Sequence, residues 1–387
     1  MSDSQPVSVY KIGFISVLTS LGNLKMKAVK LLDLWLGTIL CALCPAKPSW
    51  TGNIPTFKRI LIIRPGGIGD ALFLLPFLRS FRQKYPTITI DILGEKRNAE
   101  IFQGQKELDA AIYRFDVMGE LLNLFKNKYD VIIDTEQWHY LSALVGYFLG
   151  APVSIGFATR PSRAKLFNIK IPYEIAAHEL NNFGRLFFGL MPEAQNIHTV
   201  EGAFIVAPHD LSWAKTIVSV PYATLFLGAS IALRRLTRQQ IEEIINCLLI
   251  KNQTIVLLGG RDVQKEGASI AQNFSTKPVL DLTGKTSLRQ SAALIKSSQL
   301  FIGPDSGLMH LACAVETPTV AIFGPGNLRK WTPPANPKYQ VVTLNVACSP
   351  CTQFGYTVPT CAGRYMCVRD IKTANITTCI ENQLKAS

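Results

Sequence analysis

The chain is short of acid. Across 387 residues, 27 Asp and Glu stand against 40 Lys and Arg, a formal charge of +13 at neutral pH. Such an imbalance calls for an anionic partner, whether nucleic acid, phospholipid or a phosphorylated substrate. The chain carries no zinc-finger or RNP signature, and its basic residues are scattered rather than clustered, which argues against nucleic acid. A dinucleotide fingerprint is only weakly matched, because the first glycine turn reads Gly66-Gly67-Ile68-Gly69. Gly284-Lys285-Thr286 lacks the earlier glycine of a phosphate-cradling P-loop, since position 279 is Val279. The cleanest apolar run, residues 34–44, falls short of the ~20 residues that span a bilayer. A cleaved signal peptide fits poorly, because the extreme N-terminus is not basic and no convincing small-residue cleavage site follows.

What is present is a globular composition, 48% hydrophobic and 17% charged, in a length suited to two or three domains. Residues 1–59 carry seven basic side chains (Lys11, Lys25, Lys27, Lys30, Lys47, Lys58 and Arg59) and two acidic ones, Asp3 and Asp33. Within them, residues 24–44 fit an interfacial helix whose lysines meet anionic lipid while Leu31, Leu32, Trp35 and Ile39 enter the headgroup boundary. A helix packed on the main body fits as well. Cys41 and Cys44, a CxxC in this apolar setting, read as packing.

Residues 58–75, KRILIIRPGGIGDALFLL, open an α/β domain. The run Ile60 to Ile63 is continuously apolar, as a strand buried on both faces should be. A turn through Gly66, Gly67 and Gly69 follows, then a helix near Asp70, whose carboxylate either serves chemistry at the turn's mouth or caps the helix. Further strands over 87–93 and 129–134, with a helix over 138–149, indicate a parallel sheet. Arg160, Arg163, Lys165 and Lys170 either meet an anionic acceptor or line a solvated loop. Residues 206–221 read as a linker, and a second α/β series follows: strand 222–227, the loop around Ser230 and Arg234, helix 237–251, strand 254–258 and the loop with Asp262.

Residues 300–324, LFIGPDSGLMHLACAVETPTVAIFG, read as strand, turn, helix and strand. The helix start after Asp305, Ser306 and Gly307, with His310 one turn inside, suits a phosphate or ribosyl diphosphate; an ordinary α/β core gives the same local pattern. Near the C-terminus, Cys348, Cys351, Cys361 and Cys367 are compatible with a structural zinc, two disulfides or free thiols.

The segments GDALFLLP (69–76), GAS with Arg234 four positions beyond Ser230, LTGKTSL (282–288), PDSGLMHLACAVETPTVAIFGP (304–325) and CSPC (348–351) together resemble glycosyltransferase family 9, the heptosyltransferases of lipopolysaccharide core assembly. The likeness covers residues 58–380 and leaves the N-terminal segment outside. It implies the GT-B architecture, two Rossmann-like α/β domains facing across a cleft. The expected division is an N-terminal extension over 1–57, an acceptor domain over 58–208, a nucleotide-sugar domain over 209–372 and a C-terminal helix over 373–387 that packs back. It implies inversion at the anomeric carbon without a catalytic metal, ADP-heptose as donor and a lipid-linked or lipopolysaccharide-type acceptor at the inner face of the cytoplasmic membrane. Asp70 becomes the general base, beside the acceptor-side loop of Gly66, Gly67 and Gly69. Ser230, Arg234, Asp262, Thr286, Asp305, Ser306, Gly307 and His310 become the donor site. The family usually has Lys where Arg234 stands, Trp-Pro where Leu236 and Thr237 stand, and Asp-Thr-Gly in place of Asp305-Ser306-Gly307. The alternatives are a GT-B-fold nucleotide-sugar 2-epimerase and a non-catalytic nucleotide-sugar or glycan-binding assembly partner.

Overall fold

The computed structural model describes residues 33–351 without 53 and 55, residue 361, and residues 365–386. The chain forms two compact units, one made of residues up to 175 plus 180–197, the other of 176–179 and the residues from 198 onward.

In the first unit a wide π-type turn, Asp33–Gly37, runs into helix α1, Thr38–Leu43. Six strands follow: β1 Arg59–Ile63, β2 Thr89–Gly94, β3 Ala110–Arg114, β4 Val131–Asp134, β5 Val153–Phe157 and β6 Ile169–Ile171. All neighbours are parallel, in the order β3-β2-β1-β4-β5-β6. The central strands have no water-facing side: Ile60, Leu61, Ile62 and Ile63 are fully buried. A buried parallel strand needs apolar residues at every position, and the helices between strands supply the cover. Among them are α2, Ile68–Lys84, and α3, Tyr140–Leu149.

The second unit repeats the design. Residues 206–221, expected as a linker, contain helix α4, Pro208–Ile217, with Pro208 in its first turn, where its missing N–H costs nothing. Strands β7 Tyr222–Phe226, β8 Thr254–Leu258, β9 Val279–Asp281, β10 Leu300–Pro304, β11 Thr319–Phe323 and β12 Tyr339–Thr343 form a sheet ordered β12-β11-β10-β7-β8-β9, again parallel throughout. Helix α5, Arg238–Ile250, and helix α6, Leu288–Ser297, begin with capping boxes, from Thr237 and Gln240 and from Ser287 and Gln290. Helix α7 spans Gly307–Ala314, and helix α8, Thr373–Ala386, buries Ile376 and Ile380 in the core that α5 and the strands share.

Counted from the first strand of each unit, both sheets have the order 3-2-1-4-5-6. In such a sheet the connections leave in opposite directions from strands 1 and 4, so a crevice opens at their carboxyl ends. For the first unit that place lies beyond Ile63 and Asp134, and for the second beyond Phe226 and Pro304.

The stretch bearing Arg160, Arg163, Lys165 and Lys170, read as meeting an anionic acceptor or lining a solvated loop, holds a short helix, Pro161–Ala164, and β6. Its Arg163 is fully buried, not solvated. It donates to the oxygens of His139, Phe157 and Glu136 and forms a 2.7 Å ion pair with Asp134.

Candidate active site

At the carboxyl end of β1, Pro65 and Gly66 turn the chain into α2. Gly66 has φ +113°, in the region that favours glycine, and a Cβ there would sit 3.2 Å from Arg64 Nη2. Asp70 is the third residue of α2 and is buried; the cap position belongs to Gly67, so capping is not its role. A carboxylate in the first turn sits in the favourable field of the helix's unpaired N–H groups. Gly67 also leaves it room, for a Cβ at 67 would lie 2.8 Å from Asp70 Oδ2.

Around this turn lies a charged frame that sequence reasoning missed. Arg64 is buried and donates to Pro65 O, Thr135 O and Glu136 Oε2 at 2.9, 2.7 and 3.0 Å. Burial would raise the Glu136 carboxyl, but the charges of His139 and Arg64 outweigh it and hold the group down at about 2. From the helix Lys96–Gln103 that follows β2, Asn98 Nδ2 donates to Arg64 O, and Arg97 pairs with Glu95. An arginine closing an otherwise apolar strand was the available signal. Charge at the end of a buried strand needs a partner nearby.

In the second unit, Ser230 and Arg234 follow β7, while Asp305 and Ser306 follow β10, so the expected donor residues converge on that sheet's switch point. Arg234 Nη1 lies 3.2 Å from Asp305 Oδ2 and donates to Asp305 O at 3.4 Å. Burial raises the Asp305 carboxyl, and Arg234 opposes the rise. Ser306 caps α7 by accepting from Met309 N, and Gly307 is the first helical residue. Gly326 borders the same carboxylate: a Cβ there would lie 2.0 Å from Asp305 Oδ2.

His310 is buried one turn into α7, its ring 5.9 Å from that of Trp331. Burial, helped by the charges of His178 and Arg234, holds its imidazole down at about 3, so at neutral pH it offers a hydrogen bond and no charge. Asp262, after β8, is half exposed and paired with Arg235 rather than Arg234. Thr286, after β9, shares a 2.9 Å hydrogen bond with Ser291, and its loop is joined to the β8 loop by Gly284 N–H to Gly259 O at 2.8 Å. A buried pair not foreseen, Lys330 Nζ to Glu179 Oε2 at 2.6 Å, lies next to Trp331.

A family model described as glycosyltransferase family 9 (heptosyltransferase) matches residues 121–360. The chain belongs to this family. The enzyme is 26% identical over 292 residues to lipopolysaccharide heptosyltransferase 3 of Escherichia coli, covering 69% of this chain and 84% of the relative. To lipopolysaccharide heptosyltransferase 2 of Escherichia coli (strain K12) it is 24% identical over 321 residues, covering 74% and 88%. Among solved structures, the ADP-heptose lps heptosyltransferase II of E. coli superimposes with a TM-score of 0.67 at 22% identity, over 85% of this chain and 99% of that one. A family 9 transferase from Veillonella parvula DSM 2008 does so with 0.69 at 16%, over 88% and 100%. These likenesses bear out the two-sheet α/β fold and identify the chain as a glycosyltransferase.

The zinc expectation fares differently. Cys348, Cys351, Cys361 and Cys367 line one small cavity with Leu233 and Pro325. Burial first, and then the neighbouring thiols, raise the Cys351 and Cys367 thiols. Yet among the described residues no three His, Cys, Asp or Glu side chains are arranged to hold a metal ion. Cys41 and Cys44 are buried in the first unit's core, as packing requires.

Proposed function

We propose that this glycosyltransferase moves a heptose from ADP-heptose onto a lipopolysaccharide-core or other lipid-linked acceptor, with inversion, at the inner face of the cytoplasmic membrane. The observation that carries the reading is the matched pair of switch points, one bearing the carboxylate Asp70 in the first turn of α2 just past a glycine turn, the other bearing Arg234 beside the start of α7. Asp70 takes the proton from the acceptor hydroxyl as its oxygen bonds to the anomeric carbon. The bond from that carbon to the diphosphate breaks, and its electron pair leaves with the nucleotide. Arg234 and the N–H groups opening α7 meet the growing negative charge, and the step needs no metal ion for that purpose. Ser230, Asp262, Thr286, Ser306, Gly307 and His310 line the donor, with His310 as a neutral hydrogen-bonding group.

The test is a reaction with ADP-heptose and a heptose-deficient core acceptor, analysed by mass and by anomeric configuration. A heptosylated, inverted product is expected. Turnover of the donor to an isomer in the absence of acceptor would replace this reading with epimerisation. A thermal-shift panel of ADP-, UDP-, GDP- and CMP-sugars should favour the ADP compound; a ligand at 100 times its Kd adds about 2.7 kcal/mol.

A further inference from the structure

We infer that the outward face of the N-terminal helical segment, Trp35, Leu36, Ile39 and Leu43, is the surface by which the enzyme lies on an anionic bilayer. This rests on the membrane-held acceptor proposed above and names the part of the chain that meets the lipid. The four side chains are 73%, 41%, 55% and 67% exposed. Ile39 and Leu43, four apart, share one face of α1, and Trp35 and Leu36 lie on the π-type turn that leads into it.

The opposite face is built into the first unit. Asp33 accepts from the backbone N–H groups of Tyr140 and Leu141 and lies 3.2 Å from His139 Nδ1, so it caps α3. Gly37 permits the close approach, since a Cβ there would lie 2.6 Å from Tyr140 Cβ. Cys41 and Cys44 are buried, and Lys165 Nζ holds Ala42 O at the other end. The helix is therefore a fixed fin, not a loose arm, and its apolar edge faces out.

Charge selects the occupant. Asp33 is the sole acidic residue between positions 4 and 59, and it is turned inward against α3. The remaining charges of that stretch are positive, in a chain of net +13. A second copy of the chain would be repelled, whereas anionic headgroups are attracted. A tryptophan beside aliphatic side chains suits the boundary between headgroup and acyl chain. Among the described residues no helix is long and apolar enough to cross a membrane.

The experiment is vesicle flotation of the full chain with phosphatidylcholine vesicles, with and without one-third phosphatidylglycerol. The wild type should float with the anionic vesicles and less so at high salt. Trp35→Ser/Ile39→Ser/Leu43→Ser should lower the bound-to-free ratio about tenfold or more, with an unchanged melting temperature and unchanged binding of ADP-sugar. Ile250→Ser, an exposed apolar residue of the second unit, should change nothing. Equal flotation of the triple variant would overturn the inference. So would conversion of a dimer to a monomer by the triple variant without loss of flotation, which would make the stripe a contact between copies. Nucleotide-sugar binding is read separately in solution, so failure of the transfer reading leaves the flotation result to stand by itself.

Discussion

Arg234 is held against Asp305 by two contacts from one nitrogen, to the carboxylate at 3.2 Å and to the main-chain oxygen at 3.4 Å. Asp305 is buried and fixed at the end of β10, so the guanidinium is aimed before any ligand arrives. Pre-aimed charge spends less entropy on binding. Arg234→Ala should weaken ADP-sugar binding by roughly 1.5–3 kcal/mol, as for a charge-assisted hydrogen bond, and Arg234→Lys should restore part of it. Calorimetry of the two variants checks this. Unchanged affinity in the alanine variant would show that the arginine serves only Asp305.

Asp70 and Gly67 give a test that leaves the carboxylate in place. In Gly67→Ala the new Cβ would meet Asp70 Oδ2 at 2.8 Å, so the short carboxylate must shift while the backbone, at an ordinary φ of −69°, need not. A small stability cost, under about 1 kcal/mol, should accompany a fall in kcat of at least about tenfold if a displacement of this size misaligns the base. Asp70→Asn should abolish transfer and keep donor binding. If Gly67→Ala turns over like the wild type, the position of that carboxylate does not govern the rate.

These two carboxylates were legible in the sequence for one reason. Asp70 follows a continuously apolar strand and a glycine turn, and Asp305 follows a buried strand directly ahead of a helix start, patterns that survive without tertiary information. The pieces that were not legible depend on distant partners. Arg64 meets Glu136 across 72 positions, and nothing local marks either residue as half of a pair. Arg163 read as solvated because it is charged, yet four oxygens surround it, and only the fold brings them together. Edge strands also escaped. β3 is half exposed and β6 is only Ile169–Ile171, so neither shows the unbroken apolar run of β1. Pro208–Ile217 was obscured by its mixed composition, although Pro208 in the first turn is a helix-start signal.

The Arg163–Asp134 pair carries a stability prediction. Both side chains are fully buried, and the arginine also holds three main-chain oxygens. Arg163→Met would remove the cation that opposes burial at Asp134 and leave three main-chain oxygens without their donor, a change that costs about 3–5 kcal/mol in buried pairs. Urea unfolding followed by circular dichroism would measure it. A loss under about 1 kcal/mol would mean that water or a rearranged neighbour replaces the guanidinium.

His310 supplies a pH dependence whose sign follows from burial. The folded imidazole is held at about 3 against an ordinary value of 6.5, chiefly because the helix interior cannot solvate its charge. Between those values the unfolded chain takes up a proton that the folded chain refuses, so stability is complete above pH 6.5 and falls as the pH drops toward 3. The slope from this group approaches about 1.4 kcal/mol per pH unit. His310→Asn removes the titration, so the loss of unfolding free energy between pH 7 and pH 5 should shrink relative to the wild type, whatever the variant's stability at pH 7. His178, also lowered by burial, keeps part of the slope. Denaturant titrations at the two pH values decide the matter, and an identical pH 7 to pH 5 difference in both proteins would show that His310 takes up its proton in the folded state.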